Sequence, residues 1–138
     1  MTSSEFSIPS LDRIIESKHK LVGIVTRPDK PEGRGRKIKK CIIKEYAEKN
    51  NIYCLDPVDL KDKEFIEELK KLNPDIGVVI AFRILPREVF TIPRFGTINV
   101  HPSLLPQYRG AAPIHWTIIN GEKETGITIF FITEKVDK

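Results

Sequence analysis

Cysteine is nearly absent from this chain. Cys41 and Cys54 are the only two in 138 residues. Their spacing matches neither a metal-ligand nor a redox pattern, so free thiols in a reducing cytoplasm are expected rather than a bridge. Histidine is also scarce: His19, His101 and His115 fall at no spacing that assembles a metal centre, and no metal is expected. The longest apolar run, about Ile76 to Phe82, is far short of a membrane span. No basic start followed by an apolar stretch marks a secretory signal. Repeats and low-complexity tracts are missing too. What remains is a soluble globular composition, 40% hydrophobic and 30% charged, at a length that suits one domain.

Hydrophobic periodicity supplies the elements. A helix is expected from about Pro9, with Leu11, Ile14 and Ile15 on one face and Lys18 to Lys20 at its end. Leu21 to Thr26 reads as a short buried strand, Ile38 to Glu48 as a helix, and Ile52 to Leu55 as a strand. Asp62 is placed to cap a helix over Lys63 to Leu72, stopped by Asn73-Pro74. Asp75 to Ala81 is the clearest buried strand, and a short helix begins at Pro86. Pro113 to Asn120 reads as a helix with Trp116 and Ile119 inward, and Ile127 to Thr133 as a strand. Strands alternating with helices at short intervals imply an α/β domain, a mostly parallel sheet with helices on both faces.

The net charge of +4 is unevenly spread. Between Arg27 and Lys40, seven cations stand against Asp29 and Glu32, a local charge of +5 on an otherwise near-neutral chain. Two prolines and two glycines in this stretch argue against regular structure. It reads either as a solvated connection or as a contact for a polyanion, with Arg and Lys on phosphates and Gly allowing close approach.

The stretch from Gly96 to Trp116 organises the rest. Thr97 to His101 is a β-rich strand, and Asn99 and His101, two apart, share a face. Pro102, Pro106, Gly110 and Pro113 then keep the chain irregular. The pair thus falls at the carboxyl end of a buried strand, where open α/β sheets bind ligands. An uncharged amide donor beside a proton carrier suits acyl or formyl transfer, in which an oxyanion forms as an amine loses its proton. On the residues alone, a buried Asn and His tying a loop together is the competing reading.

The run Asn-Val-His-Pro-Ser-Leu-Leu-Pro-Gln-Tyr-Arg-Gly-Ala-Ala-Pro-Ile, from Asn99 to Ile114, resembles the signature of the folate-dependent formyltransferases. The resemblance covers nearly the whole chain. It implies a Rossmann-like formyltransferase fold, with Asn99, His101 and Asp137 as catalytic residues. It also implies 10-formyltetrahydrofolate as formyl donor, without a metal. Phe82, Arg83, Ile84 and Leu85 match the family's pterin-holding loop, although this chain is one residue shorter there than many members. Ser103, Leu104, Leu105 and Pro106 match the loop that follows the catalytic pair. The basic stretch is similar to the loop that tRNA-dependent members insert against the acceptor stem, which makes Arg34, Arg36 and Lys37 the expected contacts to charged initiator tRNA. Residues 1–138 would then be part of a catalytic domain acting as a monomer in the cytoplasm, with the family's C-terminal tRNA-binding domain outside the sequence. The family opens with a strand that runs into a turn like Met1 to Phe6, so either an open centre to the sheet or an unusual pairing that fills it is expected. Two rivals are a sister enzyme acting on a sugar amine, a glycinamide nucleotide or water, and a catalytically idle tRNA-binding fragment.

Overall fold

The computed structural model describes residues 1–32 and 37–134, without the side chains of Glu32, Lys37 and Lys39. Arg34, Arg36 and Asp137 therefore lie outside the described residues, as does the side chain of Lys37.

A three-stranded sheet carries the site. β5 (Gly77–Ile80) runs parallel to β6 (Thr97–His101), and β7 (Thr128–Phe131) lies antiparallel on the far side of β6. A second pair, β1 (Ile24–Val25) with β4 (Cys54–Leu55), is parallel. Two residues join these sheets. Thr2 donates its N–H to the Val25 carbonyl at 2.9 Å, and the Met1 carbonyl accepts from Ile80 N–H at 3.1 Å. Of the two expected outcomes for the sheet's centre, a pairing that fills it is the one observed.

Alternation along the strands sends side chains to two faces. On one face, Val25, Leu55 and Val79 pack with Phe65 and Leu69 of α3 (Lys63–Lys71) and Val89 and Phe90 of α4 (Arg87–Phe90). On the other, Ile24 packs with Leu11 of α1 (Ile8–Glu16) and with Ile43 and Ala47 of α2 (Ile42–Lys49). Burying each such large side chain contributes about 1.5–3 kcal/mol. The second face is covered only in part: Ile129 and Phe131, cross-strand neighbours of Val100 and Ile98, are exposed.

Local chemistry sets the element ends. The Asp62 carboxylate accepts from Phe65 N–H at 3.1 Å and caps α3, and Asn73, in a left-handed conformation, follows its end. Gly77 admits Thr97 so closely that a Cβ at Gly77 would stand 2.6 Å from Thr97 Oγ1.

Three expectations need correction. The basic stretch is not wholly irregular: β2 (Lys30–Glu32) pairs antiparallel with β3 (Lys37–Lys39). Pro31 sits opposite Ile38, a position that asks no ladder bond of its nitrogen, so the proline is tolerated. In consequence α2 starts at Ile42 rather than Ile38, because Ile38 and Lys39 are committed to the hairpin. In α5 (Pro113–Ile119), Trp116 and Ile119 are exposed, while Pro113 and Thr117 face inward. Thr117 Oγ1 donates to the Pro113 carbonyl at 2.9 Å, which satisfies its hydroxyl in that buried position.

Candidate active site

Parallel pairing aligns the carboxyl ends of β5 and β6, so the chain leaves both strands at one edge of the sheet. There a cavity of about 880 Å³ opens, within the usual range for small-molecule sites. Its floor holds Val79, Asn99 and Phe130, which are register partners across β5, β6 and β7 and so point to one face. His101, two residues beyond Asn99, joins them as the sequence pattern requires.

The two polar groups differ in how they are held. The Asn99 amide has no hydrogen-bond partner among the described residues. No described buried side-chain N or O lacks a partner, so this amide keeps access to the cavity it lines. His101 is only 5% exposed. Its Nε2 donates to the Tyr108 carbonyl at 2.9 Å, across the loop that begins at Pro102. Backbone strain gathers around this site: Ala81, Tyr108 and Ala112 are non-glycine residues with φ of 47°, 56° and 54°. Such conformations persist where the surroundings over-determine them, and they cluster at functional sites.

Phe82, Arg83, Ile84 and Leu85 all line the same cavity as Asn99 and His101. Arg83 also reaches across to the loop after β4, donating to the Val58 carbonyl at 2.8 Å and to the Pro57 carbonyl at 2.5 Å. That double contact fixes the short segment between β5 and α4 against its neighbour. Ser103, Leu104, Leu105 and Pro106 lie outside the lining. They build the loop's foundation instead: Ser103 Oγ donates to the Gln107 carbonyl at 2.7 Å, and Leu105 N–H donates to Thr128 Oγ1 at 3.1 Å.

Periodicity did not single out Phe90, Phe130 and Ile132, which wall the cavity, or Ser4 and Phe6 at its rim. Phe130 could be found only from its register opposite Asn99, and the rim residues only from the placement of the first turn between β1 and β5. Arg87 and Glu134, also in the lining, pair at 2.8 Å in the open, where such a bridge contributes little. Among the described residues, no group of three or more His, Cys, Asp or Glu could hold a metal ion. No helix among them is long and apolar enough to cross a membrane.

Away from the cavity, Lys44 of α2 pairs with Asp56 at 2.7 Å and Asp29 at 3.4 Å. Asp29 Oδ1 also accepts the Cys41 N–H at 2.9 Å, fastening the root of the basic hairpin to the start of α2. That backbone bond, followed by the Lys44 ammonium, holds the Asp29 carboxyl below its ordinary value against the opposing effect of desolvation. The hydrogen bond to Asp56 leads the causes that raise Lys44.

An α/β sheet with helices on both faces, holding an amide and an imidazole at a strand's carboxyl end over an apolar cavity, defines a protein of the small-molecule-binding α/β class. The chain belongs to the formyl transferase family, whose sequence profile matches residues 2–138. It is 53% identical over 137 residues to a methionyl-tRNA formyltransferase of Flavobacterium johnsoniae, covering 99% of this chain and 44% of the relative. It is 51% identical over 138 residues to that of Clostridioides difficile, covering 99% and 45%. The chain thus spans less than half the length of these relatives. Among solved structures it resembles a phosphoribosylglycinamide formyltransferase from Anaplasma phagocytophilum, with TM-score 0.74 and 22% identity, over 99% of this chain and 64% of that one. It also resembles a formyltetrahydrofolate deformylase from Pseudomonas syringae, with TM-score 0.68 and 22% identity, over 99% and 45%. At these identities the structural likeness carries the fold alone.

Proposed function

We propose that this chain is the catalytic part of an enzyme that moves a formyl group from 10-formyltetrahydrofolate to the amine of methionyl-initiator-tRNA. The observation that carries the reading is the juxtaposition of Asn99 and His101 over the cavity at the carboxyl end of β6. The names of the relatives near 50% identity support the choice of acceptor.

The pterin would lie against Phe82, Ile84 and Leu85, on the segment that Arg83 ties down. The free amine attacks the formyl carbon, and the carbonyl π electrons move to oxygen. The Asn99 amide donates to that oxyanion, a group it meets only as charge develops, so the interaction lowers the barrier rather than merely tightening binding. His101 takes the amine proton and returns it to the folate nitrogen as the carbon–nitrogen bond breaks. Asp137 would help His101 move that proton, by favouring the charged imidazolium. Arg34, Arg36 and Lys37, of the basic stretch, would meet tRNA phosphates.

The test places residues 1–138 in the Flavobacterium johnsoniae enzyme in exchange for the matching segment. The chimera is supplied with 10-formyltetrahydrofolate and, in turn, charged initiator tRNA, glycinamide ribonucleotide or water alone. Formyl transfer to the tRNA is expected. Transfer to glycinamide ribonucleotide, or hydrolysis alone, would replace the acceptor assignment.

A further inference from the structure

We infer that Tyr108 is a positioning residue that fixes the ring proton of His101 on Nε2 and leaves Nδ1 as the nitrogen available in the cavity. His101 Nε2 lies 2.9 Å from the Tyr108 carbonyl oxygen. A carbonyl oxygen only accepts, so Nε2 must carry the hydrogen, and in neutral imidazole the other nitrogen is then bare. Nδ1 has no hydrogen-bond partner among the described residues. No described buried side-chain nitrogen lacks a partner, so Nδ1 keeps an opening, and His101 lines the cavity.

The carbonyl that makes this choice is itself held from two sides. Tyr108 adopts a left-handed backbone, φ 56°, which a bulky residue rarely takes without support. The support is its phenol, which donates to Glu122 Oε1 at 2.6 Å and accepts from Asn120 Nδ2 at 3.1 Å. Both partners sit just past α5. On the other side, Thr128 Oγ1 at the start of β7 donates to the Ser103 carbonyl at 2.7 Å, and Ser103 Oγ donates to the Gln107 carbonyl at 2.7 Å. The loop is thus strung between β7 and the end of α5, with the Tyr108 carbonyl at its midpoint against the imidazole.

The consequence for chemistry rests on the formyl-transfer reading above. Nδ1 takes the amine proton and Nε2–H stays on the Tyr108 carbonyl, so the transient imidazolium is a donor at both nitrogens. Nδ1 then returns its proton to the folate nitrogen. The tautomer itself can be read without substrate or turnover, so a failure of the formyl-transfer reading would leave this inference standing.

The experiment is nitrogen-15 NMR of the chain with labelled histidine. The exposed His19 and His115 are replaced by Gln to leave one imidazole, and neutral His101 is observed. The expected spectrum shows Nε2 protonated and Nδ1 bare, in a ratio of roughly tenfold, the upper range for one hydrogen bond. Tyr108→Phe, which cuts the loop from the end of α5, and Glu122→Ala, which removes the shorter of its two ties there, should each lower that ratio, the former several-fold. Glu122→Gln keeps an acceptor for the phenol and should restore it. A proton on Nδ1 in the parent chain would overturn the inference. So would a ratio that neither Tyr108→Phe nor Glu122→Ala moves while the rest of the spectrum shows a folded protein.

Discussion

At the scale of single residues, the site is made by alternation and by space. Asn99 and His101 were legible in the sequence because a β-branched strand stopped by Pro102 allows only one arrangement for residues two apart. Phe130, which shares their cavity, was not legible, because its place opposite Asn99 depends on a strand pairing that no local pattern encodes. Gly77 belongs to the same scale. A methyl group there would press on Thr97, whose Oγ1 donates to the Phe90 carbonyl at 2.8 Å and is buried. Gly77→Ala should therefore destabilise the fold by about 1–3 kcal/mol, the usual cost of overpacking. Urea unfolding checks this, and an unchanged midpoint would mean that β5 and β6 shift apart freely.

At the scale of elements, the basic hairpin and α2 show where residue-type reasoning falls short. Pro31 and the glycines read as breakers, yet a two-stranded ribbon has positions whose N–H faces outward, and Pro31 takes one. The hairpin is rooted by Asp29 on the Cys41 N–H and on Lys44. Because the folded Asp29 pKa lies below its ordinary value, the carboxylate stabilises the fold above the unfolded pKa of about 3.9. That contribution is lost as pH falls through the folded value. Asp29→Asn should therefore lower Tm at neutral pH, and its gap from the parent chain should close as pH drops below about 4. Thermal melts across that range decide it; a gap that does not depend on pH would assign Asp29 a purely geometric role. Helix α5 gives the complementary lesson. Trp116 and Ile119 have core composition, but the helix is seated through Pro113 and Thr117, and the remaining apolar side chains face outward.

At the scale of the whole molecule, the parts converge on one edge of the sheet. Apart from the basic hairpin, the order of strands and helices was readable from periodicity, since buried strands and capped helices have distinct signatures. The joint between the two sheets was not, because Met1 and Thr2 make it with two residues, too few to show any period. The hairpin's charge belongs to this scale too, since it concerns how a polyanion meets the molecule. Replacing Arg34, Arg36 and Lys37 with Ala in the chimera should raise KM for charged tRNA and leave folate binding intact. If all three neutralise phosphates, the slope of log affinity against log salt should flatten by about 2–3. An unchanged slope would make the hairpin a solvated connection.

The proposed function depends on the amide and imidazole at the end of β6 carrying formyl transfer. The most direct measurement is the single-turnover rate of transfer to charged initiator tRNA by the chimera with and without Asn99→Ala, alongside folate binding to both. A loss of roughly 10²–10³-fold in the rate is expected, the cost of one oxyanion donor, with folate affinity little changed. A rate near that of the parent chimera at saturating folate and tRNA would contradict it.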